Sequence, residues 1–267
     1  MPFVTNDGAG IHWDAQGSGT PVLLIMGHRY SSNMWYPLVA ELAQNHRVIT
    51  FDNRGTGESD TSPSTTIEQL TADALAVLDA AGETRAHVYG VSMGGAIAAE
   101  FGMAYPERVI SLTLGCTMLK TEQSKRPLLM RLIYRLPHWG MHHLMLRGTT
   151  DKSYGSTAPA EWIARDRVAM ARSPFTSKGV REQGKAIERY ATTAERARDK
   201  LTMPVLVLHG DEDGVVPVKH GRNLAAIVPD SRYVEFKGAG HNYLVATGGR
   251  SNRVFIDFID EADRRAA

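Results

Sequence analysis

Cysteine is almost missing from this chain: there is one, Cys116, in 267 residues. A single thiol cannot close an intramolecular bridge, so no disulfide framework holds the fold. Cys116 lies in the apolar segment from Val109 to Thr117 and reads as a packed strand cysteine. An excess of charge of one sign is missing too. Lys and Arg number 30 against 29 Asp and Glu, a formal net charge of +1. That balance offers no electrostatic basis for nucleic acid or an anionic membrane as a partner. No apolar run approaches the ~20 residues of a membrane span. The start, Met1-Pro2-Phe3-Val4-Thr5-Asn6-Asp7, lacks the basic and apolar regions of a secretory signal. The expectation is a globular protein of a reducing, cytoplasmic compartment, with no feature that sets an oligomeric state.

Two apparent sites fail for want of partners. His138, His142 and His143 crowd one segment, and a pair at i, i+4 can bind zinc. No H-E-x-x-H signature or third ligand accompanies them, so they read as a partly exposed cluster. Arg54-Gly55-Thr56-Gly57 resembles a phosphate loop without a Walker lysine or a dinucleotide fingerprint. Its glycines read as structural. Arg196, Arg198 and Lys200, interleaved with Glu195 and Asp199, read as a solvated helix face.

What the chain does have is regular alternation of short apolar runs with helix-like segments, the pattern of an α/β protein with a mainly parallel, doubly wound sheet. Strands are expected at Val22–Met26, Val48–Phe51, His87–Tyr89, Ile110–Leu114, Val205–Leu208 and Ser231–Phe236. Phe3-Val4 and Ile11-His12-Trp13 should form an antiparallel edge hairpin. Helices fit Trp35–Gln44, Thr66–Ala81, Ser92–Ala104, Lys219–Ile227 and Arg250–Ala262. The alternation fails from Leu119 to Thr202, which is rich in helix formers broken by proline and glycine. It reads as about four helices inserted between two sheet strands. The division is therefore a core of residues 1–118 and 203–267 with an insertion at 119–202.

The most informative residues are Gly90-Val91-Ser92-Met93-Gly94, a G-x-S-x-G run. An apolar strand precedes it and the small residues Gly95-Ala96-Ile97-Ala98-Ala99 follow. A serine on so sharp a strand-to-helix turn needs neighbours two positions away with almost no side chain. The helix behind it aims its positive end at charge developing during acyl transfer. In such architectures an acid and then a histidine follow the serine in the chain. The acidic turn His209-Gly210-Asp211-Glu212-Asp213 closes one expected strand, and Lys237-Gly238-Ala239-Gly240-His241 closes the next. Either Asp211 or Asp213 could hold the imidazole of His241.

Taken together, these motifs resemble the α/β-hydrolase superfamily over nearly the whole chain. The likeness is carried by Val22-Leu23-Leu24-Ile25-Met26-Gly27, Phe51-Asp52-Asn53-Arg54-Gly55-Thr56-Gly57-Glu58-Ser59, the Ser92 turn, Tyr105-Pro106-Glu107-Arg108-Val109, Gly210 to Pro217 and Gly238 to His241. The resemblance implies catalytic roles for Ser92, Asp213 and His241, with Asp213 preferred over Asp211 as the acid three residues after the glycine. It implies an oxyanion hole from the backbone N–H groups of His28 and Met93, although Met26 stands where the family usually has histidine before the glycine. It also implies that 119–202 is a helical cap whose apolar residues (Leu128, Leu129, Leu132, Tyr134, Trp139, Leu144, Met145, Trp162, Met170, Phe175) either line a pocket or pack cap to core. Trp139, Trp162 and Arg29 are the candidate substrate contacts. Arg29 either points to solvent or meets a carboxylate or enolate of the substrate.

The implied activity is that of a serine hydrolase cleaving an ester, lactone or thioester of a moderately sized, apolar small molecule through an acyl-enzyme. No metal or organic cofactor is implied. The resemblance leaves three other readings: a carbon–carbon bond or enol-lactone hydrolase, a cofactor-free haloperoxidase-like enzyme, and a small-molecule receptor that keeps the fold.

Overall fold

Apolar residues on successive strand positions face opposite ways, so a strand that is apolar throughout is buried on both faces. This is what the computed structural model shows, describing residues 2–120, 132, 136, 140 and 153–266. In chain order the elements before the insertion are β1 (Phe3–Asn6), β2 (Ala9–Gln16), β3 (Thr20–Ile25), α1 (Tyr36–Leu42), β4 (His46–Phe51), α2 (Ile67–Ala80), β5 (Ala86–Val91), α3 (Met93–Ala104) and β6 (Val109–Gly115). Within the described part of the insertion lie α4 (Ala160–Ala171), α5 (Ser177–Arg189) and α6 (Ala194–Lys200). The chain returns to the sheet with β7 (Val205–Gly210), α7 (Lys219–Ile227), β8 (Arg232–Phe236), the single turn α8 (Tyr243–Ala246) and α9 (Arg250–Ala266).

The eight strands form one sheet in the order β1-β2-β4-β3-β5-β6-β7-β8. β1 with β2 and β2 with β4 are antiparallel, and the remaining pairs run parallel. Leu23 and Ile25 of β3 pack with α2 and α3 on one face, while Val22 and Leu24 pack with α1 and α9 on the other. The expected strands and helices are all present, within a few residues at their ends. Trp35 belongs to a short 3-10 turn, Ser32–Trp35, and α1 begins after it. Pro37 accounts for that boundary, because a fixed φ and a missing N–H suit the first helical turn.

Helices α4 to α6 lie between β6 and β7, where inserted helices were expected. Side chains cap two of them: Thr176 accepts from Gly179 N–H, and Thr193 from Arg196 N–H. The expectations for Leu128, Leu129, Tyr134, His138, Trp139, His142, His143, Leu144 and Met145 lie outside the described residues. Leu132 is exposed, Met170 is buried against the core, and Trp162 is half-buried against the same cluster. Met170 and Trp162 thus pack the insertion against the core.

One surface expectation is corrected. Arg196 is not simply solvated but forks onto Glu100 of α3, with N···O distances of 2.8 and 2.6 Å. Glu100 is buried and also accepts from Tyr190 at 3.0 Å. A carboxylate in that setting needs such partners, a demand that the sequence around Arg196 does not display. Arg54, in the glycine-rich turn, is fully buried and forks onto Asp73 at 2.6 and 2.7 Å, in line with a structural turn.

Candidate active site

Parallel strands end on one edge, and there the loops after β3, β5, β6, β7 and β8 meet. β4 lies on one side of β3 and β5 on the other, so successive connections depart in opposite directions and leave a crevice at the strand ends. Ile25 at the end of β3 pairs with Gly90 near the end of β5. That register sets Gly27-His28-Arg29 beside Ser92.

Ser92 sits between β5 and α3 at φ 56° and ψ −119°, a conformation that a side chain normally avoids. Its N–H donates to Gly115 O at 2.8 Å, and its own carbonyl accepts from Thr117 Oγ1 at 2.8 Å. The turn is tight enough that a Cβ at Gly94 would lie 2.1 Å from Ile25 O, and one at Gly90 2.0 Å from Gly94 O. Both obstacles are backbone. Gly94→Ala is therefore expected to cost upwards of about 2 kcal/mol through overpacking, lowering Tm by roughly 4–8 °C. Thermal unfolding of the variant checks this; an unchanged Tm would show that the turn can widen.

His241 follows β8 and reaches Ser92, with Nε2 3.0 Å from Oγ. On its other side Nδ1 lies 2.8 Å from Asp213 Oδ2. The structure thus brings Asp213, and not Asp211, to the imidazole. Asp211 instead accepts from Gly238 N–H at 2.6 Å, bracing the loop that carries His241. Asp213 Oδ1 accepts from the N–H groups of Val215 and Val216, both at 2.8 Å. Burial alone would raise its pKa, but the hydrogen bonds from His209, His241 and Val216 outweigh that and hold the carboxyl well below its usual range.

Two neighbours were missed by reading the sequence. His209, fully buried at the end of β7, has Nε2 2.8 Å from Val216 O and 3.2 Å from Asp213 Oδ2. Both are acceptors, so Nε2 carries the proton. Its Nδ1 has no hydrogen-bond partner among the described residues. Asp213 therefore receives donors from two imidazoles. Cys116 was expected inside a strand. It stands one residue beyond β6 at φ 39°, buried, with its sulfur, an Asp213 oxygen and a His241 nitrogen within 4.8 Å of one another. Thiolate, imidazole and carboxylate form a set that zinc accepts. Yet the 2.8 Å between His241 and Asp213 is a direct hydrogen bond, too short to span an ion. Burial opposes protonation of His241, but Cys116 and Asp213 beside it outweigh that and hold its pKa well above 6.5.

Met93 is the first residue of α3, so its N–H has no intrahelical acceptor and points out of the helix start beside Ser92. His28 uses its side chain elsewhere: Nε2 lies 2.9 Å from Val180 O of α5. Arg29 is corrected in one respect, since its side chain does not reach bulk solvent. It is buried at φ 74°, its N–H donates to Gln183 Oε1 at 2.9 Å, and its guanidinium lies over the Tyr30 ring and donates to the Tyr30 hydroxyl. Gln183 is fully buried on α5 and also donates to Arg54 O at 2.8 Å, so it ties the loop after β3 to the insertion.

With this geometry in view, comparison with known proteins gives concordant matches. A family model described as the alpha/beta hydrolase fold matches residues 20–245. RutD of Azorhizobium caulinodans, provisionally named a carbamate hydrolase, is 28% identical over 99% of this chain and 100% of its own. BpoC of Mycobacterium tuberculosis, provisionally named a non-heme bromoperoxidase, is 30% identical over 86% of this chain and 89% of its own. The solved enol-lactonase of Burkholderia xenovorans LB400 superposes with a TM-score of 0.85 at 24% identity, covering 97% of this chain and 100% of that one.

Proposed function

This chain belongs to the alpha/beta hydrolase fold family and is a hydrolase, and from that premise we propose that it is a serine hydrolase which transfers the acyl group of an ester, lactone or thioester to water. One observation carries the reading: the unbroken chain from Ser92 Oγ to His241 Nε2 (3.0 Å) and from His241 Nδ1 to Asp213 Oδ2 (2.8 Å). His241 takes the Ser92 proton as Oγ bonds to the substrate carbonyl carbon. The N–H groups of Met93 and His28 meet the resulting oxyanion, each such donor being worth about 3 kcal/mol. The tetrahedral intermediate collapses as the bond to the leaving group breaks, and His241 returns the proton to that group. Water, deprotonated by His241, then releases the acid and restores Ser92.

Asp213 holds the imidazole in the tautomer that leaves Nε2 able to accept, and His209 and two backbone N–H groups hold Asp213. The substrate is a moderately sized, largely apolar molecule, a reading that rests on the apolar and aromatic composition of residues 119–202 alone. Enol-lactone cleavage is the same chemistry on a cyclic ester. A receptor that merely binds would show no turnover. Burst kinetics with a p-nitrophenyl ester test the acyl-enzyme, and a panel of esters, lactones and diketones assigns the bond cleaved. Binding of the ester without release of nitrophenol would end the hydrolytic reading.

The pKa of His241 gives a signed expectation. General-base catalysis needs the neutral imidazole. Because the folded-state pKa is raised above 6.5, kcat/KM should rise with pH through a midpoint above that value. The linkage to stability has the opposite sense. A raised histidine pKa stabilises the fold below the unfolded-state value, and that contribution is lost as pH passes the folded value. A pH–rate profile from pH 5 to 9 checks this. An acid limb at or below 6.5 would mean that Cys116 and Asp213 do not bias the imidazole as their positions indicate.

A further inference from the structure

The insertion between β6 and β7 is bound directly to the loop that carries His241. Residues 153–157 run alongside the loop that carries His241, and both chain neighbours of the histidine are bound to them. Gly240 N–H donates to Tyr154 O at 2.8 Å, and Asn242 N–H to Ser153 O at 2.7 Å. Thr157 N–H returns a bond to Gly238 O at 3.1 Å. The approach is close: a Cβ at Gly155, where φ is 79°, would lie 2.3 Å from Gly238 O. On the adjoining loop, the N–H and hydroxyl of Ser156 both donate to the carboxylate of Glu212, each at 2.7 Å, one residue before Asp213.

Asp166 of α4 gathers this strap. It is buried, and its Oδ2 accepts from Tyr154 OH at 2.9 Å and from Asn242 Nδ2 at 2.7 Å. Its Oδ1 accepts from Tyr36 OH, at the start of α1, at 3.0 Å. One carboxylate thus joins the insertion, the core and the residue next to His241. Three donors converge on it because a buried carboxylate needs them. Asn242 is thereby held through its side chain by Asp166 and through its backbone by Ser153.

Resting on the serine hydrolase reading above, we propose that Asp166 is a positioning residue: through Asn242 and Tyr154 it sets where the His241 imidazole stands, so that the insertion is part of the catalytic apparatus. It touches no reacting atom. Its effect is on the chemical step, because an imidazole displaced by about 1 Å loses on the order of a hundredfold in rate.

The test compares Asp166→Ala with Asp166→Asn in the full chain, using a p-nitrophenyl ester. Asp166→Ala should lower kcat by about a hundredfold with KM unchanged, and should move the acid limb of kcat/KM toward the ordinary imidazole value as the His241–Asp213 contact loosens. Asp166→Asn is isosteric. Its amide oxygen can still accept from Tyr154 and Asn242, and its NH2 can donate to the Tyr36 hydroxyl, so most of the loss should be recovered. Unchanged kcat in folded Asp166→Ala, or a kcat loss with no movement of the pH limb, would reduce Asp166 to fold cement and overturn the inference. Should Asp166→Ala fail to fold, Asn242→Ala decides the matter. It keeps the backbone bond to Ser153 and removes the side-chain bond; a lowered kcat with a shifted limb supports the proposal, and wild-type kinetics refute it. Labelling of wild-type Ser92 by an organophosphonate separates the two levels. If the label fails, the serine hydrolase reading falls; if it succeeds while these variants behave as wild type, only the role of Asp166 falls.

Discussion

Ser92→Ala is expected to lower kcat by about 10⁵–10⁶, leaving only the contribution of the oxyanion donors and of binding. The size follows from the geometry. Ser92 Oγ is the oxygen held at 3.0 Å from His241 Nε2, and the strained turn between β5 and α3 presents it there. The same variant should keep its stability, because alanine tolerates the turn no worse than serine and Oγ makes no bond to the core. An organophosphonate should label the wild-type protein at Ser92 alone and leave Ser92→Ala unlabelled. Full activity in the variant, or a label on another serine, would remove Ser92 from the mechanism.

Asp213→Asn is expected to cost about 10⁴ in kcat. The asparagine would fill the same space between His209, His241 and the Val215 and Val216 N–H groups. An NH2 facing His241 Nδ1, however, would favour the tautomer whose Nε2 is protonated and cannot take the Ser92 proton. Asp211→Asn should cost far less, since that side chain braces Gly238 and does not reach the imidazole. Steady-state kinetics of the two variants, with a p-nitrophenyl ester, decide between the acids. The reverse ranking would transfer the role to Asp211 and imply that the loop after β7 rearranges when substrate binds.

Much of this architecture was legible in the chain because it rests on local demands. A strand buried on both faces must be largely apolar, and β3, β5 and β7 are, with His87 and His209 as buried polar exceptions that find hydrogen-bond partners. The Ser92 turn admits nothing larger than glycine at 90 and 94, so the motif announces its own geometry. Asp213 was preferred to Asp211 by likeness to a family motif, since the turn holds two acids at nearly equal reach. The hydrogen bond to His241 distinguishes them in space.

Other features had no local signature. His209 reads as one more residue of an acidic turn until the chain folds back after β7 and sets its Nε2 beside Asp213. Cys116 reads as strand packing until the chain kinks at φ 39° past β6 and leaves its sulfur near His241. Asp166 sits among exposed arginines on α4 and gives no sign that its carboxylate meets Tyr154 and, far from it in the chain, Tyr36 and Asn242.

The sequence by itself determined the sheet, the sharp turn at Ser92 and the chain order of serine, acid and histidine, because each depends on a few adjacent residues and on short-range sterics. Only the tertiary structure decided which acid meets the imidazole, which second imidazole supports that acid, and which part of the insertion holds the histidine loop. Except for His209 and Asp213, which share one turn, those are contacts between residues remote in sequence, and their partners are chosen by the distances between strand ends and by the cost of leaving a buried polar group unpaired.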